Sequence, residues 1–337
     1  MQGINWGIMG AGRISYRFAT ALALDEDARL VAVAGRTAAK LDAFASEHYV
    51  APERRYASAD DGGAAAYRRL IDDPDIDAIY LSLPHGMHAE WACRALRAGK
   101  AVLCEKPAVV TEAEAQDIAA ATRESGALFM EAMKNRFCPL RDRVWDVLRS
   151  GELGAVTSVT SVQKLTYGDA VIPYLLDPRQ GGALFDMGCY GVGWIEELTQ
   201  GDPQVDRLAV RWRKVESGRV DWADDVYMTL GGVPVHLVLD GEAGYESLLT
   251  IACERGSVEV ERLHRPERAT VTATLGKRRT IEAPFEKDDF YGEIAHFNAL
   301  LREGSAESPV MPLASTVRNA RIIDAVRAHF DEATELL

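Results

Sequence analysis

Strand and helix alternate without interruption over the first 130 residues, and no other feature of the chain restricts its fold as much. INWGIM reads as a short apolar strand, GRISYRFATALAL as a helix with apolar residues at helical spacing, LVAVAG as a second strand and TAAKLDAFASEH as a second helix. A helix near 61–72, the strand DAIYLSL, the helix MHAEWACRALRA and the strand AVLC continue the series. Gly99 reads as a left-handed C-cap behind the helix MHAEWACRALRA. A helix over 111–125, opened by a Thr111/Glu114 capping box, and the strand ALFMEA complete it. Alternation of this kind demands parallel strands joined by crossover helices, a doubly wound sheet. Past about residue 150 the period falls to two, in AVTSVTSVQKL, VDRLAVRWRKV, VYMTLGG, VPVHLVLDGE, SVEVERL and ATVTATLG. These runs predict an antiparallel sheet with one wetter face. Helices near 139–150 and 188–199 interrupt it, and a last helix runs from about Ala314 to the end. The expected organisation is α/β followed by α+β, with domains over 1–130 and 131–337.

The first strand ends in GIMGAGRIS. Gly10 makes the tight turn, and Gly12 lets a pyrophosphate approach the backbone at the start of the next helix, where Arg13 and Ile14 follow. This is the strand-turn-helix context of a Rossmann dinucleotide site. Ser15 stands where a third glycine is usual, and a small residue there still permits close packing. The second strand ends at Gly35, followed by Arg36 and Thr37. A site selective for NAD carries an acid at this point for the ribose hydroxyls. Here glycine leaves room and Arg36 offers a planar cation, with Lys40 one helical turn on, so NADP is favoured over NAD.

The formal net charge of −13 disfavours nucleic acid and anionic membranes as partners, since both require basic surfaces. No apolar run is long enough to span a bilayer, and no signal peptide is visible at the N-terminus. Five cysteines (Cys93, Cys104, Cys138, Cys189, Cys253) are odd in number and lack CxxC spacing, so they read as reduced thiols of a cytoplasmic protein.

AVLCEKP drives an acid and a lysine to the carboxyl edge of the parallel sheet, where ligands of open α/β folds bind. Pro107 stops the strand, so Lys106 projects toward the cofactor. Positive charge on an oxidised nicotinamide, with partial burial, would lower its pKa toward a useful range. Glu105 orients Lys106 or holds the turn. The plainer reading of the pair is a structural charge pair at a strand end. GGALFDMGCYGVGW sets Asp186 and Tyr190 four residues apart, on one face of a helix start. A tyrosine near an ammonium group can exchange a proton with a substrate oxygen, and Asp186 can accept a substrate hydroxyl or fix the lysine. The plainer reading is a glycine-rich helix entry with a buried tyrosine.

Together GIMGAGRIS, VAVAGRT, DDPDIDAIYLSLPHGMHAEWACRALRAGKAVLCEKP, LFMEAMKNRF and GGALFDMGCYG resemble the glucose–fructose oxidoreductase, inositol dehydrogenase and rhizopine catabolism (Gfo/Idh/MocA) family over essentially the whole chain. His85, the LCEKP form, MEA…RF and the tyrosine of DxGxY are most similar to its branch of dimeric dihydrodiol dehydrogenases and NADP-dependent D-xylose dehydrogenases. The resemblance implies a Rossmann domain followed by a domain on a large, mostly antiparallel open sheet that packs against a second subunit, as homodimer or homotetramer. It also implies Lys106 and Tyr190 as a catalytic pair with Asp186 nearby, and Leu83, Pro84, His85 and His88 beside the cofactor. Lys134 departs from the dihydrodiol branch, which carries an aromatic there. The implied reaction is hydride transfer between NADP and a hydroxyl-bearing carbon of a sugar, polyol or related diol. The rivals are a tightly held NAD(P) that drives elimination or glycoside cleavage by transient oxidation, and a non-catalytic NADP or metabolite sensor.

Several residues invite other readings. His85 and His88 have HxxH spacing, but no acid or thiol lies at ligand distance in sequence, so no metal site is assigned. Cys189 reads as packing, and Asp72–Asp73, Asp224–Asp225 and Asp288–Asp289 as solvated turns or helix starts. Arg136, Arg179 and Trp194 are candidates to reach the substrate.

Overall fold

The computed structural model describes residues 3–168 and 171–336, and the chain divides into two compact units. The first comprises Met1–Val109, Ala113–Ala132 and Lys287–Thr316. Its strands are β1 (Ile4–Met9), β2 (Ala28–Gly35), β3 (Arg55–Ala57), β4 (Ala78–Leu81), β5 (Ala101–Glu105) and β6 (Phe129–Ala132). They form one parallel sheet in the order β3-β2-β1-β4-β5-β6. The connecting helices are α1 (Arg13–Leu22), α2 (Ala38–Glu47), α3 (Ala64–Asp72), α4 (His88–Arg97) and α5 (Glu112–Ser125). Strands β4, β5 and β6 are buried along their whole length, as strands covered on both faces must be. The strand order reverses between β1 and β4, which opens a crevice at their carboxyl ends.

Two parts of this unit escape the sequence pattern. β3 is only three residues long. A helix at Tyr291–Glu303, α8 in chain order, returns from far along the chain. Its Phe297 packs against Trp6 at 5.1 Å, and the Trp6 indole N–H donates to Asn298 Oδ1 at 3.1 Å. Asp288 begins this helix, but Asp289 is buried and pairs with Arg17 at 2.5 Å.

The second unit comprises Val110–Glu112, Met133–Glu286 and Val317–Leu337. It holds α6 (Pro139–Arg149), α7 (Cys189–Leu198) and the part of α9 (Leu313–Ala328) from Val317 on. Its strands are β7 (Val156–Leu165), β8 (Pro203–Val215), β9 (Gly218–Leu230), β10 (Val233–Asp240), β11 (Tyr245–Cys253), β12 (Gly256–Glu261), β13 (Arg268–Ala273), β14 (Arg278–Glu282) and β15 (Thr334–Glu335). The nine-stranded order is β14-β13-β12-β11-β7-β10-β9-β8-β15. All neighbours are antiparallel except β7–β10 and β8–β15. The inner face shares one apolar core with Leu140 and Val144 of α6, Ile195 of α7 and Ile322 and Val326 of α9. The outer face is wetter. A half-buried apolar row, Leu248–Val162–Val238, crosses its three central strands. Beside it Tyr227 stacks on His236 at 4.1 Å, and the His236 Nε2 lies 2.6 Å from Asp225.

Three further expectations need correction, the first being that Asp73, read as solvated, is buried and accepts the Tyr56 hydroxyl at 2.7 Å. The last helix stops at Ala328, and the chain then adds the edge strand β15. Asp224 and Asp225 are not in a turn: they lie within β9, and Asp224 is completely buried. Among the described residues no helix is long and apolar enough to cross a membrane.

Candidate active site

Candidate residues fall in both units. In the first, β1 ends at Gly10, whose φ of +104° no ordinary residue adopts cheaply, and an added Cβ would press to 2.8 Å on Ser82 O. Its amide donates to Ala34 O of β2 at 2.9 Å. Ser15 is more than a small packing residue. It is fully buried, and its hydroxyl donates to Gly10 O at 2.6 Å and meets Ser82 Oγ at 2.8 Å, which locks the turn. Gly12 is different: nothing lies within 4 Å of where its Cβ would be. It opens α1, whose N-terminus carries no side-chain cap. The result is an open cradle of uncapped amides at a positive helix end, which fits a pyrophosphate. Arg13 and Ile14 are exposed beside it.

At the end of β2, Leu41 leaves no room for a side chain at Gly35, with a contact of 3.0 Å to an added Cβ. Arg36, Thr37 and Lys40 follow, all exposed. Thr37 starts α2. Neither Arg13, Arg36 nor Lys40 forms an ion pair among the described residues. The positive field of Arg36 reaches the phenol of Tyr67, whose pKa is raised by burial and opposed by that cation.

Beyond β4 the chain turns through Leu83 and Pro84 into a short 3-10 turn at His85–Met87. His85 is 3% exposed, and its ring centroid lies 5.8 Å from that of His88. His88 is completely buried, with Nδ1 2.9 Å from Pro107 O and Nε2 2.7 Å from Leu83 O. Burial, helped slightly by the Lys106 charge, holds its pKa below the ordinary histidine value against the Pro107 and Leu83 carbonyls, which raise it. Both ring nitrogens are thus engaged, and the ring joins the two turns at Leu83 and Pro107.

The fully buried β5 ends at Glu105, and Lys106 follows, half-buried. The Lys106–Pro107 peptide is cis. One Glu105 oxygen accepts the Tyr80 hydroxyl, and the other accepts the Lys106 amide at 3.1 Å. Tyr80 is held in turn by stacking on Phe18 at 3.7 Å. Just past the lysine, the Ala108 amide donates to Glu131 Oε1 at 3.0 Å, and Glu131 Oε2 accepts the Thr316 hydroxyl at 3.0 Å. The lysine backbone is therefore pinned on both sides. Tyr80 and Glu131 sit inside apolar strand runs, where sequence alone gives them no separate signal.

In the second unit, LFDMG (Leu184–Gly188) forms a π-helical turn that runs into α7. Asp186 and Tyr190 are both half-buried. The glycines of this segment let α7 lie directly on the sheet. A Cβ on Gly191 would collide with Ser161 Oγ of β7. Asp186 Oδ2 accepts the Tyr167 hydroxyl at 2.9 Å, and Tyr167 packs on Trp222 at 4.9 Å. The Tyr190 ring lies 5.8 Å from that of His264, and Asn135 donates to the Tyr190 carbonyl at 3.5 Å. Tyr167 and His264 join the site without a local sequence signal, because each comes from a loop beside the sheet. Cys189 is buried, with its thiol on Asp186 O at 3.5 Å, the packing role expected of it.

The three substrate candidates are placed differently from one another. Arg136 is buried, with Nη2 donating to Gly193 O at 3.0 Å and forming an ion pair with Glu196. Arg179 has a side chain 87% exposed and pairs with Asp177 at 2.9 Å. That guanidinium holds the Asp177 carboxyl well below the usual range. Trp194 is 1% exposed and donates to Leu263 O at 2.9 Å, so it belongs to the core.

Comparison with known proteins agrees with both halves. Residues 4–133 match the model described as oxidoreductase family, NAD-binding Rossmann fold, and residues 142–259 match the C-terminal domain model of the same family. The mouse trans-1,2-dihydrobenzene-1,2-diol dehydrogenase is 28% identical, over 96% of each chain. A 3-ketoreductase from Actinomadura kijaniata, solved with NADP, is 25% identical with a TM-score of 0.82 over 99% of each chain. The aldose-aldose oxidoreductase of Caulobacter crescentus, complexed with glycerol, shares the fold, with a TM-score of 0.84 at 24% identity over 98% of each chain. The matched segments, the six-stranded parallel sheet with its glycine cradle, and the nine-stranded sheet lead to one conclusion: this chain is an NAD(P)-dependent oxidoreductase belonging to the Gfo/Idh/MocA family.

Proposed function

We propose that this enzyme transfers a hydride between NADP and a hydroxyl-bearing carbon of a sugar, polyol or related diol, with Lys106 and Tyr190 as its proton-transfer pair. The observation that carries the reading is the end of β5. Glu105 and Glu131 hold the backbone on either side of Lys106, which is the support a group needs to move a proton at a fixed place. Bound NADP supplies the hydride acceptor or donor. Gly10, Gly12 and the α1 amides hold its pyrophosphate. Arg36, Thr37 and Lys40, with Arg13, receive the 2′-phosphate, and three cations without carboxylate partners support that over the bare ribose of NAD. Leu83, Pro84 and His85 border the nicotinamide. In the oxidative direction Tyr190 takes the proton from the substrate hydroxyl and Lys106 stabilises the phenolate; in reduction the proton returns by the same route. Asp186, steadied by Tyr167, accepts a second substrate hydroxyl, which favours a polyhydroxylated substrate. The half-buried row on the outer sheet face supports association as a homodimer or homotetramer, and five buried thiols suit a cytoplasmic protein.

The test is reduction of NADP⁺ and NAD⁺ by purified protein over a panel of aldoses, polyols and vicinal diols. Lys106→Ala and Tyr190→Phe are each expected to lower kcat by about 10²- to 10⁴-fold, the usual weight of general acid–base catalysis, while cofactor still binds. Variants as fast as the wild type would make Lys106 a structural charge. Turnover with no net cofactor reduction would favour a tightly held redox cycle.

A further inference from the structure

We propose that Asp221 is a positioning residue for the helix that carries Asp186 and Tyr190, and that it works through one proton shared with Asp224. The inference deepens the hydride-transfer reading and rests on it for the role of that helix.

Along β9 the pairing with β8 slips. Asp221 lies opposite Trp212 and Ala223 opposite Arg211, so Trp222 is an extra residue. A bulge of this kind breaks the alternation of sides, and residues three apart across it come to face the same way. Asp221 and Asp224 therefore both enter the interior, at 4% and 0% exposure, where the charge of one acts on the other. Asp221 continues upward. Its Oδ2 accepts the Leu184 amide at 2.7 Å, at the first residue of the π-helical turn. Its Oδ1 fills the space beside Gly182, where a Cβ would collide with it. One carboxylate thus holds both the entry and the first amide of the segment that presents Asp186 and Tyr190.

Asp224 has no such donor: neither of its oxygens has a hydrogen-bond partner among the described residues. Two adjacent ionised carboxylates cannot both persist without water. Burial, and then the Asp221 charge, push the Asp224 carboxyl well above the usual carboxylate range. Burial also raises Asp221, but the Leu184 amide and Arg327 of α9 counter it. The proton accordingly rests on Asp224 and is donated to an ionised Asp221. Arg327 is the outside charge acting on the pair. Asp240 and Arg211, on the flanking strands, pair with each other at 3.3 Å. Asp186 is engaged by Tyr167.

The experiment compares wild type, Asp221→Ala and Asp224→Asn by hydrogen–deuterium exchange over residues 182–190, by infrared difference spectra in the carboxyl region, and by kcat. In Asp224→Asn an amide N–H replaces the shared proton, so exchange and kcat are expected to match the wild type, while a protonated-carboxyl band present in the wild type at neutral pH disappears. Asp221→Ala is expected to speed exchange of the segment at least about 10-fold and, since misplacement of about 1 Å costs about 10²-fold, to lower kcat by a similar factor with cofactor affinity unchanged. Unchanged exchange in Asp221→Ala, or a wild type without the carboxyl band, overturns the proposal. If Asp221→Ala does not fold, Asp224→Asn and its band decide alone. If no substrate turns over, the hydride-transfer reading falls, and exchange and infrared still judge the positioning role.

Discussion

In the proposed reading, Arg36 is the residue on which the choice of NADP rests. It is exposed at the end of β2 without an ion pair, and a 2′-phosphate is the ligand that would engage it. Replacing it by alanine removes one or two charge-assisted hydrogen bonds, so the KM for NADP⁺ should rise about 10- to 100-fold while that for NAD⁺ changes little. Steady-state kinetics with both cofactors decides this, and a parallel rise in the two would remove Arg36 from phosphate recognition. The sequence singles this residue out because glycine-then-arginine at a strand end has few other uses. Ser15 was legible only as small. Its hydroxyl contacts depend on Ser82, 67 positions away, and no local pattern encodes such a pairing. Glu105 was legible as a turn residue, yet its partner Tyr80 reads in sequence as one more apolar strand position.

Elements were legible where a period of 3.6 or 2 ran unbroken, as in α1, α4, β7 and β10. They failed where long-range pairing set the outcome. β3 is three residues held by β2, and β15 is two residues held by β8. The end of α9 is therefore fixed by an edge strand that propensity does not reveal. The bulge in β9 is a third case: Asp224, which read as part of a solvated turn, is buried with Asp221 because one residue was inserted in the strand. The pair has a thermodynamic signature. Asp224 titrates higher folded than unfolded, so the folded state keeps a proton that the unfolded chain has released. Its contribution is favourable below the ordinary carboxylate range and is lost progressively as pH rises from there toward the raised value. Asp224→Asn should therefore gain more stability over the wild type at pH 8 than at pH 5. Urea melts at the two pH values measure it, and an equal gain at both would show that Asp224 is ionised in the fold.

At the scale of the molecule, the proposed assembly would use the outer face of the nine-stranded sheet. Its row Leu248–Val162–Val238 is flat, central and half-exposed, and a second copy of the chain would cover it. Val162→Arg places a charge at the middle of that row and should shift sedimentation toward the monomer. An unchanged sedimentation coefficient would move the interface elsewhere. The two-part organisation was legible from the change of period, but the return of Lys287–Thr316 to the first unit was not, since nothing in that segment's own sequence names Trp6 as its neighbour. That return bears on synthesis. A ribosome must deliver 316 of the 337 residues before the first unit has all its parts. Until then Trp6 lacks Phe297 and Asn298, and the nascent sheet carries an open apolar flank for most of translation. The cofactor-binding half is the first to emerge and among the last to close, so chains that stall early leave the flank for chaperones to shield.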